Sequence, residues 1–110
     1  MIHDFDLGWG IFVQTQGSTS AELYLSDTVL ADNGLEGAGA GIIVRPFVSN
    51  TVSKVVLNRV EIEGNFFGIK ADGTQVTGGV INMTIRDSVS IGNRSNGIVG
   101  TTNAGGTPIV

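Results

Sequence analysis

Three charged residues recur at almost equal intervals and are the first candidates for chemistry. Asp27, Arg59 and Asp87 are separated by 32 and 28 residues. If each interval corresponds to one structural repeat, the three side chains stack in one column. Such a column is either a stripe that binds a sugar or a cation, or a ladder of ion pairs on a solvated face. We favour the ion-pair ladder. The neighbouring Glu61 and Glu63 are expected to face solvent, and two acids without a third ligand are a weak signal for calcium.

Other reactive side chains are scarce. His3 is the single histidine and the chain has no cysteine, which excludes a thiol nucleophile and a cysteine-based zinc site. The stretch EGAGAGI lacks the G-x-G-x-x-G spacing of a phosphate loop, and Arg45-Pro46 follows where a helix should begin. We predict no catalytic residue, no metal site and no cofactor, and we expect His3 to lie on the surface. Trp9 could stack on a sugar ring, although a lone tryptophan more often packs on a core or a neighbouring subunit.

An internal repeat indicates the elements that position these residues. The dipeptide Gly-Ile begins at residues 10, 41, 68 and 97, at intervals of 31, 27 and 29 residues. An asparagine precedes each of the last three dipeptides, and an apolar residue lies eight positions before each asparagine. These markers are Asn33, Asn65 and Asn93, with Leu25, Leu57 and Ile85. Markers that keep their order and nearly keep their distance indicate a solenoid of repeats.

Each repeat contains short strands and no helical pattern. Apolar and polar residues alternate in ELYLS, GIIVR and NMTIR. About three such strands with corners fit one coil of a right-handed parallel β-helix, an all-β fold whose coils stack ~4.8 Å apart. We expect the asparagines to form a corner ladder, adopting the left-handed bend and hydrogen-bonding through their amides. The predicted inward columns are Leu25–Leu57–Ile85, Leu23–Val55–Met83 and Ile11–Ile42–Ile69–Ile98.

Two places depart from the repeat. The first copy carries an insertion, GLEGAGA, at the asparagine corner, which we expect to be exposed and to contact a partner. In the third copy the register places Ser90 in an inward column, whereas SVSIGN favours Val89 and Ile91 inside; this predicts a bulge or a phase shift. An antiparallel sandwich with Asn-Gly hairpin turns is the alternative fold, but it leaves the register between copies unexplained.

The composition fits one small domain, residues 1–110, with few charges. The net charge is −4, the pI is near 4.6, charged residues make up 15% and the mean hydropathy is +0.25. These values argue against disorder and against nucleic acid or an anionic membrane as a partner. The N-terminus has acids where a cleavable signal has basic residues. The expected compartment is the cytoplasm if Met1 is the natural start, and secreted or periplasmic if the chain belongs to a longer protein.

The strands, the asparagine corner and the Gly-Ile strand resemble the right-handed parallel β-helix repeat of pectate-lyase-like proteins. More narrowly, LGWGIF, LYLSDTVLADNG and VVLNRVEIEGN are similar to uncharacterised bacterial β-helix repeat proteins. Lyases of that superfamily imply clustered Asp ligands for calcium with an Arg base, and polygalacturonase relatives imply Asn-x-Asp, Asp-Asp and Gly-His-Gly. The chain contains none of these motifs. The resemblance therefore implies the fold and gives no support to catalysis.

The repeat also predicts the state of the two ends. Residues 1–5 align with the second half of a coil and residues 107–110 with the start of another, so both ends are expected to be uncapped, and the domain could be a fragment of a longer solenoid. The predicted function is a non-catalytic structural or binding solenoid that self-associates through its end coils. The alternatives are a polysaccharide-binding protein or remnant of a carbohydrate-active β-helix, and a phage or surface adhesin segment, which would need trimeric assembly. The predicted interface residues are Phe5, Trp9, Ile109 and Val110.

Overall fold

The computed structural model describes residues 1–6, 8–34 and 38–110. The strands are β1 (Ile2–His3), β2 (Trp9–Val13), β3 (Ala21–Ala31), β4 (Ala40–Val44), β5 (Val52–Glu63), β6 (Phe67–Asp72), β7 (Val80–Arg86), β8 (Val89–Ile91) and β9 (Ile98–Thr101). Within these ranges no helix is long and apolar enough to cross a bilayer. Part of the predicted corner insertion, residues 35–37, lies outside the described residues.

The strands form two sheets that run along one solenoid axis. The first sheet has the order β1-β3-β5-β7, with β8 also paired to β5, and the second has the order β2-β4-β6-β9. Every pairing between these strands is parallel. The chain is therefore a parallel β-solenoid of about three coils, and the antiparallel sandwich is excluded.

The predicted inward columns are confirmed by the strand register. Leu25 pairs with Leu57, which pairs with Ile85, and the column from Ile11 to Ile98 continues through all four strands of the second sheet. The core fills the space between the two sheets and is contiguous. Its largest fully buried side chains include Leu30, Ile42, Leu57, Ile62, Ile69 and Ile81.

The predicted asparagine ladder is also confirmed. The Asn33 amide Nδ2 and backbone N both donate to Oδ1 of Asn65, each at 2.9 Å, and the same pair of bonds joins Asn65 to Asn93 at 3.3 and 3.1 Å. Asn33 and Asn65 are fully buried. Because each amide both donates and accepts, the ladder satisfies polar groups that the tight corner would otherwise leave unpaired.

The backbone of the corner differs from the prediction in one respect. The left-handed residue is the one before each asparagine: Asp32, Gly64 and Gly92 have φ of 54°, 64° and 61°. The asparagines themselves do not have positive φ. The residue in front makes the bend, which leaves the asparagine side chain free to point inward and bond along the axis.

Glycine recurs before isoleucine because the glycine carbonyl of the next coil and the asparagine ladder both lie close to it. A Cβ on Gly41 would lie 2.9 Å from the Gly68 carbonyl oxygen, 3.0 Å from Cγ2 of Ile62 and 3.2 Å from Nδ2 of Asn65. A side chain does not fit at that distance. The Asn and Gly-Ile markers of the sequence are thus two halves of one packing arrangement.

The bulge or phase shift expected in the third copy is wrong. Ile62 pairs with Ser90 in unbroken register, while Val89 and Ile91 lie opposite Glu61 and Glu63 on the outer face. Ser90 is held inside by its hydroxyl, which donates to the Gly97 carbonyl at 2.9 Å and accepts from Nδ2 of Asn93 at 3.0 Å. The consequence is that Val89 and Ile91 are 42% and 52% exposed.

Candidate functional site

Asp27, Arg59 and Asp87 stack at a second corner of the solenoid. All three have left-handed backbones, with φ of 51°, 54° and 48°. Such angles are uncommon outside glycine and asparagine, and they bend β3 and β5 and separate β7 from β8. The prediction that one coil contains three strand segments is met because this corner divides the first sheet.

The charged column contains one well-formed ion pair. Arg59 donates from Nε to Oδ1 of Asp27 at 2.6 Å and from a terminal nitrogen to Oδ2 at 2.9 Å. This hydrogen bonding lowers the pKa of Asp27 and raises the pKa of Arg59 from their ordinary values. Asp87 acts on Arg59 through its charge, and no hydrogen bond joins the two. Because both members of the pair are more than half exposed, water screens their attraction.

A shallow groove of about 300 Å³ lies beside this corner, between the second and third coils. It is lined by Arg59, Val60, Glu61, Asp87, Ser88 and Val89. Ser88 faces the corner and accepts a hydrogen bond from the Val60 amide at 3.0 Å. Among the described residues no group of three potential ligands is close enough to hold a metal ion. The groove can offer hydrogen bonds, one positive charge (Arg59) and two negative charges (Glu61 and Asp87) to a small polar molecule.

A second surface, which the sequence analysis did not anticipate, lies on the outer side of the second sheet. We call it the aromatic face and define it as Trp9, Phe12, Phe47 and Phe67 with the cations Arg45 and Lys70. The Trp9 and Phe12 rings stack with centroids 5.0 Å apart, and Phe47 meets Phe12 edge-on at 6.1 Å. The rings shield Ile43, which is 1% exposed although it points away from the core.

Two cations lie over the rings of the aromatic face. Cζ of Arg45 is 5.9 Å from the centroids of both Trp9 and Phe12, and Nζ of Lys70 is 4.7 Å from the Phe67 centroid. Nε of Arg45 also donates to Asp72 at 3.1 Å. Burial raises the pKa of Asp72, and hydrogen bonds from Thr74 and Arg45 lower it by more, so its pKa lies below the ordinary value. A pocket of about 130 Å³ opens between these side chains.

A signal for the aromatic face exists in the sequence. Phe12, Ile43 and Lys70 each follow the isoleucine of a Gly-Ile marker, and the register places them in one outer column. Trp9 and Phe67 occupy a second column at the strand starts, and Phe47 follows β4. Aligning the positions that neighbour each Gly-Ile marker, in addition to the markers, would have predicted that these residues lie on one face.

The predicted interface residues lie at three different places. Phe5 is exposed beside the asparagine ladder, and its amide donates to Oδ1 of Asn33 at 3.3 Å. Trp9 belongs to the aromatic face. Ile109 forms a parallel bridge with Ile81, which confirms that residues 107–110 start another coil, and Val110 is exposed there. His3 contacts the Asp4 carboxylate at the surface.

The last coil exposes side chains that other coils bury. Ile69 is 1% exposed, whereas Ile98, next in the same column, is 58% exposed. Ile85 likewise ends the column of Leu57 and is exposed. In the part of the chain that the structure describes, no strand pairs with the outer edge of β8 or β9. The end of the solenoid is therefore an apolar surface bordered by open backbone groups.

No protein-family model matches the chain, and neither the curated proteins nor the solved structures contain a significant match. Its assignment as a parallel β-solenoid rests on the strand pairing described above.

Proposed function

We propose that this chain is a non-catalytic β-solenoid that associates with copies of itself through its end coils. The proposal is based on the exposure of Ile98, the last side chain of its inward column. Its counterpart one coil earlier, Ile69, is fully buried. Covering apolar surface is favourable by roughly 25 cal/mol per Å². A second copy stacked on this end would extend the column and remove Ile98 from water.

The backbone supports the same proposal. The outer edges of β8 and β9 carry amide and carbonyl groups that point along the solenoid axis. Such edges pair readily with another strand, and natural proteins usually cover or blunt them. The absence of the lyase and hydrolase motifs from the sequence favours a structural or binding role over catalysis.

Light scattering over a concentration series tests self-association. We expect the wild-type mass to exceed that of the monomer and to rise with concentration. Ile98→Lys should weaken association by at least about tenfold, because a charge would have to be buried between the copies. Val52→Lys is the matched control, since Val52 is exposed in a central coil. A wild-type monomer at every concentration would refute the proposal, provided that circular dichroism shows it to be folded.

A second candidate function is favoured by the aromatic face. The resemblance to pectate-lyase-like proteins suggests a polysaccharide-binding solenoid, and exposed aromatic rings beside cations are suited to stacking on sugar rings and holding acidic groups. Trp9 and Phe47 are both partly open to solvent. This candidate places the ligand on the side of the solenoid and leaves its ends free.

Thermal unfolding with a panel of neutral and acidic polysaccharides tests the second candidate. A binding polysaccharide should raise the midpoint, and Trp9→Ala should abolish that rise. Tyr24→Ala is the control, because Tyr24 is an exposed aromatic residue outside the aromatic face. Arg59→Ala tests the charged corner separately. If no polysaccharide shifts the midpoint, this candidate fails and self-association is unaffected.

A further inference from the structure

We infer that association, which is the proposed function on which this inference rests, is head to tail: the C-terminal end of one copy stacks on the N-terminal end of the next. Two independent features of the chain choose this polarity over the symmetric arrangements. One is the distribution of charge between the ends, and the other is the strand register.

The side chains at the two ends carry net charges of opposite sign. Residues 1–34 contain five acidic residues, with no lysine or arginine: Asp4, Asp6, Glu22, Asp27 and Asp32. Residues 80–110 contain Arg86 and Arg94 against one acidic residue, Asp87. Stacked coils are ~4.8 Å apart, within the screening length of ~8 Å at physiological salt. Two N-terminal ends would therefore repel each other, whereas an N-terminal end and a C-terminal end attract.

Two of the inward columns extend in unchanged register across a head-to-tail contact. Ile11 of the next copy would follow Ile98, because the column from Ile11 to Ile98 is already continuous within the chain. Ile2 of the next copy would follow Ser90 in the column of Leu30 and Ile62. β2 would thus pair in parallel with β9, and β1 with β8. A symmetric contact of two C-terminal ends would instead set β9 against β9 in antiparallel orientation and break both columns.

The same register brings the opposite charges together. Equivalent backbone bonds join Gly34 to Phe5, Phe66 to Asn33 and Arg94 to Asn65, so positions 6, 34, 66 and 94 form one column. Asp6 of the next copy therefore lies over Arg94. Phe5 of that copy lies over Asn93, which gives this predicted interface residue a neighbour across the contact.

The start of the extra coil leaves room for this contact. Ile109 lies over Ile81, in the first strand of the coil, and Val110 is bonded to the backbone of Ile81 and Met83. Those positions differ from the ones that β1 and β2 of the next copy would occupy. Between register-equivalent positions, the connection from the second sheet back to the first has a similar length at both ends of the chain: eight residues from Val13 to Ala21 and nine from Gly100 to Ile109. The β3 strand of the next copy would then begin over Ile109.

Head-to-tail stacking predicts an open assembly. A contact between two different surfaces repeats without limit unless its rotation closes a ring. Parallel stacking along a solenoid axis adds little rotation, so the assembly should grow as filaments.

Cysteine cross-linking tests the polarity directly, because the chain has no cysteine of its own. Neighbouring strands hold paired Cα atoms at a distance that a disulfide or a short bis-maleimide spans. Ile11→Cys and Ile98→Cys variants should cross-link when mixed, and neither should cross-link alone. Ile11→Cys mixed with Thr101→Cys is the register control and should react much less. Cross-linking of Ile98→Cys with itself would overturn the head-to-tail arrangement.

A charge swap gives a second readout that is less sensitive to packing. Arg94→Asp should weaken association by at least about tenfold by placing like charges together. Asp6→Arg should do the same, and the chain that carries both changes should recover most of the loss. Circular dichroism checks that each variant is folded. Failure of the double variant to recover would refute the Asp6–Arg94 contact, whereas a monomeric wild type would refute self-association itself.

Discussion

Two ladders of polar side chains run along this solenoid, six residues apart in each coil, and they differ in what surrounds them. Asn33 and Asn65 are fully buried, and their amides bond to one another and to backbone groups. Asp27 and Arg59 are joined by two hydrogen bonds of 2.6 and 2.9 Å, but both side chains are more than half exposed to water. Stacking in register is common to both ladders, so any difference in their contributions to stability must come from burial and from the polar groups left behind when a member is removed.

The largest effect is expected for Asn65→Ala. Removing this amide leaves the Asn33 backbone N without its acceptor and the Leu30 carbonyl without its donor, both at buried positions. We expect a loss of about 3 kcal/mol in the free energy of unfolding. Urea denaturation at one fixed protein concentration measures it. A loss of less than about 1 kcal/mol would show that water replaces the amide and that the ladder resembles the charged one more than we claim.

Asn93→Ala should have a smaller effect at the end of the same ladder. Asn93 is only half-buried and accepts from Asn65, while its own amide bonds to Ser90. Solvent can reach the groups that the change exposes, so we expect a loss of about 1 kcal/mol by the same measurement. If the two variants lose equal stability, the position in the stack is irrelevant and burial is not the deciding variable.

Ser53→Ala removes a buried polar group that has no hydrogen-bond partner, so its effect on stability should have the opposite sign. The Ser53 hydroxyl is buried and makes no hydrogen bond, in contrast to the ladder amides. Ala21 occupies the preceding position of the same column, which shows that a methyl group suits this stack. We expect a gain of about 1 kcal/mol in the free energy of unfolding. Destabilisation instead would mean that the hydroxyl has a partner in solution.

The smallest effect is expected for Asp27→Asn, and it should depend on pH. The pKa of Asp27 is lowered in the folded state by the hydrogen bond with Arg59, so the ionised carboxylate contributes stability above its ordinary pKa of 3.8. That contribution is lost as the pH falls through the lower folded value. Wild type and variant should therefore differ slightly in unfolding midpoint near neutral pH and coincide in strong acid. Asp87→Asn is the control, and a larger change there than at Asp27 would contradict the ion-pair assignment.

The sequence predicted the stacked columns because its markers carry their register with them. Leucine or isoleucine lies eight residues before each asparagine, and this constant distance places Leu57 over Leu25 in the structure. The asparagine ladder was predicted for the same reason. The left-handed corner residues were predicted one position too late. A recurring asparagine indicates that the chain bends nearby, but it does not show which residue has the positive φ.

What the amino-acid sequence determined by itself was the repeat, the parallel register and the charge difference between the two ends. Each depends on residue type and spacing along one chain, and stacking converts such spacing directly into contacts. Only the tertiary structure decided that Ser90 stays inside while Val89 and Ile91 face solvent, since the ladder at Asn93 outweighs the local preference of three residues. It also decided the aromatic face, because Trp9, Phe47 and Phe67 belong to different coils and meet on a side of the sheet that the hydrophobic pattern does not mark.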